Sequence, residues 1–434
     1  MMRSPGTTAE AGLPSPASVQ RTYLILLLGS TLATSFIWGI NTIFLLDAGL
    51  SNFEAFAANA FFTAGMVLFE IPTGVTADTV GRRASYLLGT LTLTASTALY
   101  VLLWHIHGPF WAWAVVSMLL GLGFTFFSGA TEAWLVDALG ATGFTGTLES
   151  VFAKGQIAGG VAMLTGSVVG GYVAQVTNLG VPFLMRAGVL LLMFVVAFTT
   201  MRDLGFTPSK GTGIRNEMQR IVVASMRDGW RVPSVKWLML SSPFLAGVQI
   251  YVFYALQPYL LKLYGNPKAY GIAGLVAAIV AGAQIAGGLA APWVRKLFHR
   301  RTTAVVSAAA ASAVILTAIG LIRHFWAVVV LIVVWGLIFA ATTPIRQAYM
   351  NGMIPSAQRA TILSFDSMLG SAGGVVAQPA LGRSADVWGY GESYVIAGGL
   401  NALAVPFIWL SRRHAGAADT ALSPATAVSP VTAE

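Results

Sequence analysis

Gly74-Val75-Thr76-Ala77-Asp78-Thr79-Val80-Gly81-Arg82-Arg83 interrupts an otherwise apolar chain and decides how the rest is read. The runs on either side, residues 53–77 and 84–106, are each long enough to cross a bilayer, because about 20 apolar residues at 1.5 Å rise match a hydrocarbon layer of ~30 Å. The stretch between them must therefore reverse the chain at one membrane face. Gly81 permits the turn, and Gly74 leaves room for a second helix to come close. Asp78, with Arg82 and Arg83 nearby, is a carboxylate at the boundary that can accept hydrogen bonds from the positive N-terminus of a neighbouring helix.

Composition extends the reading to the whole chain. Hydrophobic residues make up 56% and charged residues 9%, against about 25% charged in soluble domains. In lipid such runs must be helices, since their backbone groups need partners within the segment. Twelve runs are present: 21–46, 53–77, 84–106, 109–137, 150–176, 180–201, 236–261, 270–296, 302–322, 324–350, 360–385 and 391–411. The expected fold is an all-α integral membrane protein with twelve transmembrane helices. The long connection 202–235 divides them into an N-terminal six-helix bundle, 21–201, and a C-terminal one, 236–412, with tails at 1–20 and 413–434 whose composition predicts disorder. In the connection, Ile214, Met218, Ile221, Val222 and Met226 approximate an apolar face while Arg215, Arg220, Arg227 and Arg231 supply charge, the pattern of an amphipathic helix on a membrane surface. A weak repeat places Glu132 of the fourth span on Arg346 of the tenth, and Asp137 on Asn351.

The net charge of +9 is carried by alternate loops: Arg82 and Arg83, the 202–235 connection, then Arg295, Lys296, Arg300 and Arg301, and finally Arg412 and Arg413. Positive residues mark the cytoplasmic face, so both termini are expected inside a cell (inner or plasma) membrane. The basic loops face anionic lipid; nucleic acid is not an expected partner.

The pattern G-x-x-x-D-x-x-G-R-R, placed after the second span, resembles the signature loop of the major facilitator superfamily. The resemblance covers residues 21–412 and implies two pseudo-symmetric bundles. It also implies that Asp78, helped by Gly74, Gly81, Arg82 and Arg83, clasps the start of span eleven near Ala360 and holds the cytoplasmic side shut. Spans one and seven are expected to line the substrate cavity, offering Trp38, Asn41, Gln249, Tyr251, Tyr254 and Gln257 to an uncharged or cationic organic molecule. Gly166-Ser167-Val168-Val169-Gly170-Gly171 is similar to the antiporter pattern G-P-x-x-G-G with Ser167 in place of proline, and Gln378-Pro379 adds a second point where a helix can bend. The runs Phe69 to Gly74 and Ala130 to Trp134 look similar to bacterial drug exporters.

Charges inside the spans are costly to bury and mark function. Glu70, Glu132, Arg346 and Asp366 are the gate or coupling candidates, with Glu70 the first choice as a proton-carrying acid. Glu132 and Arg346, opposite in sign, are expected to meet near the cytoplasmic side when that side is closed. Lys154, Arg186 and Arg383 lie near span ends and are expected to snorkel. The chain has no Cys, its histidines lie in loops or the tail, and no phosphate-cradling lysine loop is present. Neither a metal, nor a cofactor, nor an enzyme activity is expected. The resemblance implies a monomeric secondary active transporter of a small organic molecule, driven by protons or another coupling ion and working as a proton-coupled efflux antiporter. Uptake of a nutrient or metabolite by symport is the alternative; a nontransporting sensor or scaffold has no need of a breakable clasp.

Overall fold

The computed structural model describes residues 14–208, 232–354, 359–414 and 419–420. Among them every regular element is a helix: α1 (Pro16–Ser35), α2 (Asn41–Asp47), α3 (Asn52–Thr79), α4 (Arg82–Ile106), α5 (Phe110–Thr125), α6 (Ala130–Ala141), α7 (Leu148–Val176) and α8 (Gly180–Thr200) precede the linker. After it come α9 (Pro233–Tyr264), α10 (Tyr270–Leu297), α11 (Arg301–Leu321), α12 (Phe325–Met353), α13 (Arg359–Val387), α14 (Tyr390–Ala402) and α15 (Ala404–Arg413). Ten stretches are long and apolar enough to cross a membrane: α3, α4, α5 with α6, α7, α8, α9, α10, α11, α12, and α14 with α15. The expected amphipathic face of the linker, Ile214 to Arg231, lies outside the described residues.

Three expected continuous spans are broken, the last of them, 391–411, at Leu403 between α14 and α15. The first stops at Ser35 and resumes at Asn41, and the fourth is interrupted over 126–129, where Gly129 has a φ of 68° that only glycine adopts freely. The tails also differ from expectation. α1 starts at Pro16, capped by Ser15, whose Oγ accepts from the Ser18 amide at 3.2 Å. Asp419, in a segment read as disordered, is buried and accepts from the Thr302 amide (2.8 Å) and hydroxyl (2.9 Å). The first turn of α11 has amides without intrahelical partners, and a carboxylate there satisfies one of them.

Before the linker, α3 packs on α5, α4 on α5 and α8, and α1 on α7 and α8; after it, α9 packs on α13 and α15, α10 on α12, and α11 on α12 and α14. Two seams join the parts, α3 against α13 and α7 against α10. The second is made by glycine: a Cβ on Gly171 would lie 2.8 Å from the Gly274 Cα, while within the part before the linker one on Gly170 would lie 1.8 Å from the Phe36 carbonyl oxygen, in the break of the first span. Only a bare backbone allows that approach. Gly166, Gly170 and Gly171 thus act as packing surfaces within an unbroken α7.

Asp386, near the end of α13, hydrogen-bonds Asn52 at the start of α3, so the two helices run antiparallel. α3 finishes at the signature loop, and α13 therefore starts at that same end, as α12 finishes there. This is the loop end of the molecule, and the opposite end is its far end. At the far end, Phe44, Tyr100, Trp113 and Phe183 form a buried aromatic cluster, with Phe44 and Phe183 centroids 4.0 Å apart.

Candidate substrate cavity and its two ends

Two adjoining cavities share Gln249, Ile250, Trp335 and Ser371. The larger, about 550 Å³, reaches Met350 and Asn351 in the last turn of α12 and so extends toward the loop end. The deeper one, about 320 Å³, adds Thr63 of α3 with Tyr254 and Gln284. Both volumes suit a small molecule, and a few amides and hydroxyls set among apolar walls are what such sites use for orientation.

An ion pair stands in the wall of the larger cavity. Arg346 donates to both carboxylate oxygens of Asp366, at 2.7 and 2.8 Å, and to Ser242 Oγ at 2.6 Å; Ser242 in turn donates to Asp366 at 2.5 Å. Both side chains are largely buried, at 18% and 13% exposed, and this bidentate geometry is the strong form of the arginine–carboxylate contact. All partners come from α9, α12 and α13. In this conformation, then, Arg346 is engaged with Asp366 and not with Glu132, which lies exposed in the first turn of α6. A carboxylate is favoured there by the helix dipole alone. Glu70 accepts from Ser128 at 2.8 Å, beside the break in the fourth span.

The residues expected to line the cavity divide into two sets. Gln249 and Tyr254 are on its wall, and Trp38 borders a smaller adjoining space of about 160 Å³, edge-on to Phe253. The other three are turned elsewhere. Tyr251 is fully buried, with its hydroxyl 2.6 Å from Ser393 Oγ, and Asn41 donates to Asn59 at 3.0 Å. Gln257 fills the break in the first span, donating to the Trp38 carbonyl at 2.7 Å and accepting from the Thr42 amide at 2.8 Å. Its amide substitutes for the helical hydrogen bonds that the break removes.

The signature loop is fastened to the part of the chain before the linker. Gly81 has a φ of 130°, and a Cβ there would lie 2.4 Å from Asp203 Oδ2. Asp203 accepts from the Arg83 amide at 2.9 Å and so caps α4. Asp203 follows the sixth apolar run directly, and nothing in the sequence sets it apart from an ordinary charged linker residue. Arg82 pairs with Asp78 at 2.5 Å, and the Arg83 guanidinium donates to the Phe198 carbonyl at 2.6 Å. Gly74 does not serve a close helix approach here, since a Cβ would meet nothing within 4 Å.

Arg186 does not snorkel. It is 3% exposed, its guanidinium lies 5.7 Å from the Phe124 ring, and Nε and Nη2 have no hydrogen-bond partner. Its place in the chain, a turn and a half into α8, is near a span end, but the side chain points inward, toward Phe124 of α5. Pro379 lies within α13, next to Gln378, whose Nε2 donates to Thr63 Oγ1 across the α3 seam at 3.2 Å.

A family model described as Major Facilitator Superfamily matches residues 23–317 and again 238–432. No curated protein matches the chain. Among solved structures, the nucleoside transporter NupG is 10% identical with a TM-score of 0.74, the match covering 91% of this chain and 98% of that one. A peptide transporter POT in complex with sulfate is 14% identical with a TM-score of 0.70, covering 93% and 96%. A D-xylose-proton symporter is 17% identical with a TM-score of 0.66, covering 91% and 97%. At these identities the likeness is one of fold.

Proposed function

The chain belongs to the major facilitator superfamily, and from that premise we propose that it is a monomeric secondary transporter of a small organic molecule that works by alternating access between two six-helix bundles. In this reading the broken pair α1 and α2 forms span one, α13 forms span eleven, and the ten apolar stretches complete twelve spans. With the basic loops inside a cell membrane, the loop end is cytoplasmic, both termini are inside, and the conformation described faces inward. The observation that carries the reading is a cavity of about 550 Å³ that extends to the loop end and bears the Arg346–Asp366 pair in its wall.

Gln249, Tyr254 and Trp335 suit an uncharged or cationic organic substrate, through hydrogen bonds, ring stacking and cation–π attraction. Proton coupling is assigned to Asp366 together with Glu70. Glu132 and Arg346 meet when the loop end closes, and Asp78 then clasps the start of α13. Proton-coupled efflux is the direction favoured by the likeness of Phe69 to Gly74 to drug exporters. Proton-coupled uptake is the second reading, supported by the fold likeness to a D-xylose-proton symporter.

Reconstitution in proteoliposomes with an imposed proton gradient tests this, using dyes, nucleosides, sugars and short peptides as the panel. Gradient-driven movement of at least one compound, lost in Asp366→Asn, is expected. Equal movement with and without the gradient for every transported compound would remove proton coupling.

A further inference from the structure

The first four amides of a helix have no partner within it. At the start of α3 these belong to Ser51, Asn52, Phe53 and Glu54. Two are satisfied locally by a capping box: the Ser51 amide donates to Glu54 Oε2 at 2.9 Å and the Glu54 amide to Ser51 Oγ at 3.2 Å. The other two are satisfied from the opposite side of the seam. Asp386 accepts from the Asn52 amide (3.0 Å) and side-chain Nδ2 (2.9 Å) through Oδ1, and from the Phe53 amide (2.8 Å) through Oδ2. Tyr390, just past α13, donates to Asn52 Oδ1.

Asp386 is the penultimate residue of α13. A carboxylate at a helix C-terminus faces its own helix's negative end and is disfavoured there. At the N-terminus of α3 the same carboxylate meets a positive end and three donors. The contact is therefore favourable for both helices only while their far ends are together. Below it the seam continues through Gly382, where a Cβ would lie 2.8 Å from Phe56, and through Gln378 and Thr63. Beside it Gln257 bridges Trp38 and Thr42.

We propose that Asp386 is the gating residue of the far end, a latch between α13 and α3 that must release for the cavity to open on that side. The proposal rests on the alternating-access reading above. It assigns to the far end a carboxylate-to-helix clasp on the same helix pair that the signature loop is proposed to clasp at the loop end.

The native chain has no Cys, so cysteines replacing His105 and Lys268, both exposed at the far end on different sides of the linker, accept spin labels without background. Pulsed electron–electron resonance on the full-length protein in lipid nanodiscs then reads the far-end separation. In the otherwise native protein a short distance should dominate a longer, far-end-open one. Asp386→Ala and the near-isosteric Asp386→Asn should each raise the long-to-short ratio about fivefold, the size of effect expected on losing a helix cap. A variant that merely weakens α13 would lower thermal stability and leave the ratio alone. Two populations in the parent with an unchanged ratio in both variants would overturn the latch while leaving alternating access standing. One population in every variant and in every substrate and pH condition would overturn alternating access and the latch with it.

Discussion

The far end and the loop end of this molecule are built on different principles. At the far end the two parts of the chain meet through backbone and uncharged amides: Gly171 against Gly274, Gln257 across the broken first span, and a single carboxylate, Asp386, on helix amides. Toward the loop end two ion pairs among the described residues each lie within one part of the chain: Arg82 with Asp78 before the linker, Arg346 with Asp366 after it. A seal of close backbone contacts excludes water and tolerates no added volume. In the inward-facing reading proposed above, the contrast teaches that the closed far end is held by shape, while ion pairs near the loop end are local to the part that carries them.

Adding volume to the shape-held side is expected to have the largest effect. Gly170→Val places methyl groups where a Cβ alone is already 1.8 Å from the Phe36 carbonyl oxygen; overpacking of this degree should cost about 3 kcal/mol or more and leave little folded protein by size-exclusion after detergent extraction. Near-native yield and melting temperature would mean that the packing of α7 on the broken first span is looser than its geometry.

Next is the locally held charge pair. Arg346→Gln or Asp366→Asn alone leaves a largely buried partner uncompensated and should cost about 3–5 kcal/mol. The double variant should lose clearly less than the sum, as thermal unfolding in detergent can measure. Strict additivity would show that the two side chains do not support each other.

Gln257→Leu is a smaller change on the sealed side. It orphans the Trp38 carbonyl and the Thr42 amide at a cost of about 1–3 kcal/mol, which should appear as faster labelling, by an impermeant thiol reagent from the far side, of a cysteine replacing Ala277. Ala277 lines the small cavities beside Trp38, so an unchanged labelling rate would separate Gln257 from the seal. Glu132→Gln should matter least to stability, within about 0.5 kcal/mol, because Glu132 is exposed in this conformation. A loss comparable to that of Arg346→Gln would reveal a partner for Glu132 in the resting protein and collapse the contrast between the two ends.

Much of the architecture was legible in the chain. The apolar runs located α3, α4 and α7 to α12 to within a few residues, and the signature loop fell between α3 and α4 as expected. The breaks after Ser35, Thr125 and Ala402 were not legible, since all three runs stay predominantly apolar through them. Of the site, Gln249, Tyr254, Arg346 and Asp366 lie on the cavity wall, while Gln257 and Tyr251 face packed neighbours. One helical turn of error in depth, or a small rotation about the axis, moves a side chain from cavity to interface, and hydropathy does not report rotation.

What the chain determined by itself is therefore its class: lipid obliges each backbone to satisfy its hydrogen bonds within its own run, so membrane helices can be recognised one at a time. The partners of the polar groups were decided only by tertiary structure. Asp386 finds Asn52 334 residues away and Gln257 finds Thr42 215 residues away, and Arg186 turns inward, its guanidinium against the Phe124 ring of α5. Such pairings depend on how whole helices sit against one another, and no local period or motif carries that information.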